Sequence, residues 1–247
     1  MTDNRLTFGS LFSGIGGIDL GLERAGMVCR WQSEIDPYAS QVLAKHWPDI
    51  PNLGDIREID WTTVEPTDVV AGGYPCQPFS VAGQRDGAND RRHLWPMFAD
   101  CLRVVRPRYA LLENVAGHLS LGFGDVLADL AQIGYDARWD CIPAAAVGAP
   151  HRRDRVFIIA TRTDMADTDS ASSERGGIPG GGQTQRAVVD FPSLRRPSWA
   201  SEPDVGRVAH GIPHRVDRLR ALGNAVVPQV AEHVGRIIVS DATTIPI

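Results

Sequence analysis

The chain has 247 residues, 43% hydrophobic and 22% charged, enough for one substantial core or a core with a small lobe. No apolar run approaches the roughly 18 residues of a membrane span, and Met1 to Arg5 lacks the apolar stretch of a secretory signal, so a soluble, cytoplasmic chain with no membrane partner is expected. The net charge of -5 excludes a uniformly basic surface but not a local basic patch such as Arg91-Arg92-His93 or Arg195-Arg196.

From Leu6 to Thr161, apolar runs of strand length alternate with segments of helical period. That alternation predicts an α/β fold with a mostly parallel sheet and flanking helices. The first strand, Thr7 to Phe12, runs into the turn Phe12-Ser13-Gly14-Ile15-Gly16-Gly17 and a helix over Ile18 to Ala25. Glycines at such a turn let the backbone approach a ligand and aim helix N-terminal amides at it, an arrangement shared with dinucleotide-binding enzymes. A second strand, Met27 to Ser33, ends at Glu34, a carboxylate suited to a ribose diol; a helix follows over Pro37 to His46. Asp55, in Gly54-Asp55-Ile56, is able to accept from an adenine amino group, although either carboxylate taken alone is more often a solvated one.

The third strand, Asp68 to Gly72, leads to Gly72-Gly-Tyr-Pro-Cys-Gln-Pro-Phe-Ser80. A free cysteine is most often a packing residue. Here Pro75 and Pro78 fix the backbone and remove amide donors on both sides of Cys76, so the segment is neither helix interior nor central strand, and a reactive thiol competes evenly with a buried one. Cys29, Cys76, Cys101 and Cys141 form no CxxC pair, which leaves no metal site and no redox motif.

Beyond this point the pattern predicts a loop over Ser80 to His93, a helix from Trp95 to Val105 and a strand from Tyr109 to Glu113. A helix from Asp125 to Ile133 and strands at Tyr135 to Ile142 and Arg155 to Ala160 follow. Asp164 to Gln185, with Gly180-Gly181-Gly182, has the composition of a flexible segment. Order is expected again near Val216, and Val230, Val234, Ile237 and Ile238 put an apolar face on a last helix, Pro228 to Val239, that docks on the main sheet.

Taken together, these blocks resemble the DNA (cytosine-5) methyltransferase family of bacterial and phage type. Pro75-Cys-Gln-Pro-Phe-Ser80, Leu111-Leu-Glu-Asn-Val115, Pro150-His-Arg-Arg-Asp-Arg-Val156 and Leu222-Gly-Asn-Ala-Val-Val-Pro228 follow the glycine turn in the family's order. The resemblance implies a Rossmann-like methyltransferase fold that binds S-adenosylmethionine and acts on a cytosine flipped out of double-stranded DNA. It assigns Cys76 as the nucleophile toward C6, Glu113 as the group that protonates N3, and Arg155, secondarily Arg153, as contacts to the cytosine O2. Cofactor positions carried over are Phe12, Gly14, Gly16, Glu34, Ile35, Asp55, Ile56 and Asn224. Ser80, Arg85, Arg91 and Arg92 on a mobile loop are candidate phosphate contacts, and Arg195 and Arg196 candidate DNA contacts.

His151 and Ala225 stand where the family usually has glutamine and serine, and neither change removes a bond-making group. The resemblance divides the chain into a catalytic and cofactor-binding domain (1–160), a short target-recognition region (161–218) and a returning C-terminal segment (219–247). A monomer is expected, with a cognate restriction nuclease as a candidate partner. Competing readings are a transfer-RNA cytosine methyltransferase, disfavoured by Ser80 and the lack of a Cys-Phe-Thr signature, and a DNA-binding relic with weak catalysis. A nicotinamide-linked oxidoreductase would explain only the glycine turn.

Overall fold

The computed structural model describes residues 4–75, 94–120, 122–163 and 215–244. Six strands form one sheet: β1 (Thr7–Leu11), β2 (Val28–Ser33), β3 (Val69–Gly72), β4 (Tyr109–Val115), β5 (Tyr135–Pro143) and β6 (Asp154–Arg162). Their order is β2-β1-β3-β4-β6-β5. The first four strands pair in parallel, whereas β6 is antiparallel to both of its neighbours. Each strand lies where the alternation of the sequence puts it, with ends differing by one or two residues.

Helices α1 (Gly17–Arg24), α2 (Pro37–His46), α3 (Trp95–Val105), α4 (Phe123–Gln132), α5 (Arg215–Asn224) and α6 (Pro228–Thr244) complete the fold. Asp36 caps α2 by accepting from the amides of Tyr38 and Ala39, with Pro37 in the first turn. Helix α5 is the element without a sequence signal. Its apolar residues Val216, Leu219 and Leu222 are exposed, so no buried stripe announces it.

Strands alternate their side chains between two cores. Val70, Ala110, Leu112, Val156 and Ile158 pack with Phe98 and Leu102 of α3 and Leu130 of α4. On the opposite face Val69, Ala71, Tyr109, Leu111 and Ile159 pack with Leu22 of α1 and Val230, Val234 and Ile238 of α6. The last helix thus docks on the sheet through the face expected of it, and it runs alongside α1. A Cβ built on Gly21 of α1 would lie 2.4 Å from the Cβ of Ala231 and 2.6 Å from the carbonyl oxygen of Pro228, so the two backbones meet without a side chain between them.

No helix among the described residues is long and apolar enough to cross a membrane. The flexible-segment expectation for Asp164 to Gln185 and the loop at Ser80 to His93 lie outside the described residues, as does nearly all of the recognition region.

Because the contact at Gly21 has no room for a methyl group, Gly21→Val should separate α6 from α1. The expected cost is about 1–3 kcal/mol, the usual range for overpacking, read as a lower urea midpoint with unchanged sheet content by circular dichroism.

Candidate active site

The strand order reverses at β1: the chain passes to β2 on one side of it and later to β3 on the other. In open α/β sheets a reversal of this kind marks the carboxyl edge, beyond β1 and β3, as the place where a crevice forms and ligands bind. The glycine turn, Glu34, Pro75 and Glu113 all lie at this edge of the sheet, at or just past the ends of β1, β2, β3 and β4 respectively.

The turn is unusual in its backbone. Phe12, which is not glycine, sits at φ 52°, and Gly14 and Gly16 at 57° and 81°. Gly16 is the N-cap of α1 in the left-handed region, which only glycine enters freely. Strained backbone of this kind is often found at ligand sites, which makes Phe12 a candidate for one. Glu34 closes the turn from the next strand: its carboxylate accepts from the amides of Gly14 (2.8 Å) and Asp36 (2.7 Å). Asn52 fixes this arrangement, its side-chain oxygen accepting from the amides of Glu34 (2.9 Å) and Gly54 (3.1 Å) and its amide donating to the Glu34 carbonyl. Sequence reading missed Asn52, and its only signal was the preceding proline and the nearby Gly54.

The other cofactor candidates divide. Ile35 is 59% exposed beside the turn, an apolar face open to a flat ring, whereas Ile56 is 5% exposed and belongs to the core. Asp55 is bridged to Arg57, whose Nε lies 2.9 Å from Oδ1, and this hydrogen bond holds the Asp55 carboxyl below the usual carboxylate range. Asn224 is exposed at the end of α5.

At the end of β4, Glu113 is 8% exposed and its Oε1 lies 2.9 Å from Nε of Arg155 on β6. Register aligns the two strands in antiparallel fashion, Glu113 opposite Phe157 and Val115 opposite Arg155, which brings the arginine alongside the carboxylate. Burial pushes the Glu113 carboxyl up to about 7, against the opposing pull of the Arg155 and Arg153 charges. Gly73 makes the room: a Cβ there would be 2.7 Å from Oε2 of Glu113.

Arg153 has a different occupation. At φ 39°, it turns its Nη2 to the carbonyls of Gly223 and Ala225, both at 2.7 Å, and so ties the segment between α5 and α6 to the active-site edge. The approach to Cys76 is likewise anchored. The Tyr74 carbonyl accepts from Asn114 (3.1 Å), its hydroxyl is 2.8 Å from Nε2 of His118, and its ring packs against the stacked pair Trp95 and Phe98.

Cys76, Ser80, Arg85, Arg91, Arg92, Arg195 and Arg196 lie outside the described residues. Cys29 and Cys101 are buried, and burial pushes both thiols up, which suits them to packing and not to nucleophilic work. Cys141 is half-buried on β5.

Known proteins match this chain over the same region. Residues 6–190 match the family model for C-5 cytosine-specific DNA methylase. The type II methyltransferase M.BsuFI of Bacillus subtilis is 38% identical over 173 residues, 67% of this chain and 41% of that protein. The orphan methyltransferase M.Rho11sI of Bacillus phage rho11s is 33% identical over 215 residues, 83% of this chain and 42% of that one. Among solved structures, an Escherichia coli prophage protein described as a DNA modification methyltransferase superposes with a TM-score of 0.56 at 27% identity, covering 65% of this chain and 48% of its own. The chain thus spans about two fifths of the length of the curated relatives it matches.

The raised Glu113 carboxyl makes stability depend on pH. Folded, the group keeps its proton up to about pH 7; unfolded, it releases it near 4.5. Its contribution is full below 4.5 and is lost as pH rises to 7, a fall of about 3 kcal/mol. In Glu113→Gln this loss should disappear, leaving the comparable one from Asp19, whose carboxyl is raised from 3.8 to about 6. Urea midpoints at pH 5 and pH 8 check it: the gap between the two should shrink in the variant.

Proposed function

The chain belongs to the C-5 cytosine-specific DNA methylase family, and from that premise we propose that it transfers a methyl group from S-adenosylmethionine to C5 of a cytosine flipped out of double-stranded DNA. The observation that carries the reading is the Glu113–Arg155 pair: a carboxyl that holds a proton near neutral pH, beside a fixed cation, against Gly73, three residues before Cys76 in the sequence. A solvated structural carboxylate would have neither the burial nor the shift.

Glu113 has the properties that protonating the ring N3 requires, since a general acid works best with a pKa near the operating pH. In this reading Cys76 adds as thiolate to C6 while Glu113 gives its proton to N3, so that electron density gathers at C5 as an enamine. Arg155 faces the O2 edge and offsets negative charge building on the ring. Once C5 carries the methyl group, the C5 proton passes to water, the N3 proton returns to Glu113 and the Cys76 sulfur leaves as thiolate, which restores the 5,6 double bond in the methylated base. Arg153 is the secondary arginine of this set, with its guanidinium engaged on the Gly223 and Ala225 carbonyls.

The crevice residues fit the methyl donor. Phe12, Gly14 and Gly16 would line it, the half-buried Glu34 would take the ribose hydroxyls, the exposed face of Ile35 would border the adenine, and Asp55 and Asn224 would complete the two ends. When bound, S-adenosylmethionine supplies an electrophilic methyl group on a sulfonium. DNA contacts fall to Ser80, Arg85, Arg91, Arg92, Arg195 and Arg196, within a recognition region at 161–218 and the loop after Cys76. The chain acts as a monomer in this reading, with a restriction nuclease of the same specificity as a partner in the cell.

Expression in a methylation-free host followed by bisulfite sequencing tests the proposal. Cytosines in one short sequence context should resist conversion with the parent chain and convert fully with Cys76→Ala. Protection that persists in the variant, or that occurs in transfer RNA and not DNA, would overturn it. With purified protein, Glu113→Gln should lower kcat by about 10²–10⁴-fold, the range for losing a general acid. Gly73→Ala, which displaces the same carboxylate, should lower kcat by about tenfold or more while the KM for the methyl donor changes little.

A further inference from the structure

One buried ionisable group has no part in this chemistry. Asp19, in the first turn of α1, is fully buried and has no cation against it among the described residues. Its Oδ1 accepts from Nε2 of Gln32 on β2 (2.8 Å) and its Oδ2 from the Ser10 hydroxyl on β1 (3.1 Å). Ser13, inside the glycine turn, donates its hydroxyl to the Ser10 hydroxyl (2.9 Å) and lies 3.2 Å from the Ser10 carbonyl. The main chain continues the links: the Ser13 amide donates to the Ser33 carbonyl, and the Gly16 amide to the Ser13 carbonyl. A single carboxylate therefore joins β1, β2 and α1 to the turn from beneath.

Four residues along α1, Glu23 braces the other end of the turn. It accepts from the indole of Trp47 at 2.8 Å, and the Trp47 ring lies so close to Gly16 that a Cβ there would be 2.4 Å from it. The turn is thus held at Ser13 and at Gly16 by two carboxylates of one helix.

A buried carboxylate is costly, and well-packed apolar residues in its place are often neutral or stabilising. Its retention beneath a strained turn calls for a role other than stability. We propose that Asp19 is a positioning residue for the methyl-donor turn: through Ser10 and Ser13 it sets the geometry of Phe12 to Gly16 without touching the donor. The proposal rests on the reading of that turn as the S-adenosylmethionine site. The Gln32 side-chain oxygen, buried and without a hydrogen-bond partner among the described residues, shows what an amide at position 19 would do. After a flip of the Gln32 amide, an asparagine could donate to that oxygen and still accept from Ser10.

Three variants test this: Asp19→Asn, Asp19→Leu and Ser10→Ala. Amide hydrogen exchange on the whole chain should show Ser13 and Gly16 exchanging about tenfold faster in Asp19→Leu, with Val70 and Leu111 of the core strands unchanged. Asp19→Asn should stay within about twofold of the parent, and Ser10→Ala, which cuts the link above an intact Asp19–Gln32 bond, should show the same rise confined to Ser13 and Gly16 whether or not Asp19→Leu folds. Calorimetric titration with S-adenosylmethionine should follow the same order, Kd rising about tenfold in Asp19→Leu and Ser10→Ala. Unchanged exchange at Ser13 and Gly16 in Ser10→Ala, or faster exchange spread evenly over the sheet, would overturn the proposal. A parent chain that fails to bind S-adenosylmethionine would overturn the donor-site reading by itself, while the exchange pattern would still decide whether Asp19 holds the turn.

Discussion

The reversal of strand order at β1 is the constraint on which the site depends. With β2 on one side and β3 on the other, the carboxyl edge beyond β1 and β3 is where an open sheet of this kind forms its crevice. Among the described residues, the ones with proposed roles gather at that edge: the left-handed backbone at Phe12, Gly14 and Gly16, the Glu34 carboxylate on the Gly14 amide, the anchored Tyr74, and Glu113 near the end of β4.

Electrostatics at the crevice is organised by burial more than by pairing. Glu113 has an arginine within 2.9 Å, yet desolvation outweighs it and the carboxyl stays protonated to near neutral pH. Asp19 follows the same logic with no cation against it among the described residues, hydrogen bonds from Ser10 and Gln32 only partly offsetting the loss of water. Two carboxylates are thus raised for different reasons of use: one faces the crevice, where a proton can be given away, and the other is sealed under the turn, where its hydrogen bonds hold backbone in place. Neither arrangement serves stability at neutral pH, which sets both apart from the Asp55–Arg57 pair at the surface.

The C-terminal segment closes the design. Glycine on α1 lets α6 approach to backbone contact, and Arg153 draws the carbonyls of Gly223 and Ala225 toward the strand that bears Arg155. Residues distant in sequence by about seventy positions are thereby held at one edge. Arg153 and Arg155, two residues apart on one motif, divide the work: one fastens the fold and one faces the carboxylate.

Most of the fold was legible in the sequence because its elements are written by local period. Strands buried on both faces show as unbroken apolar runs such as Val69-Val-Ala71, and α3 and α6 show their apolar stripes at helical spacing. Helix α5 was not legible, because its apolar side chains face solvent and leave no periodic mark. The residues proposed for the reaction, Cys76, Glu113, Arg155 and the glycine turn, were also picked out in the sequence, since the family resemblance rests on residue type and order. What sequence could not supply is proximity: that Arg153 spends its guanidinium on two carbonyls, that Asn52 organises Glu34, that Gly73 makes room for a carboxylate, and that Asp19 reaches Ser13 through Ser10. These depend on side chains from separate strands meeting across the sheet. Their protonation depends on how much water that meeting excludes, which only the tertiary structure decides.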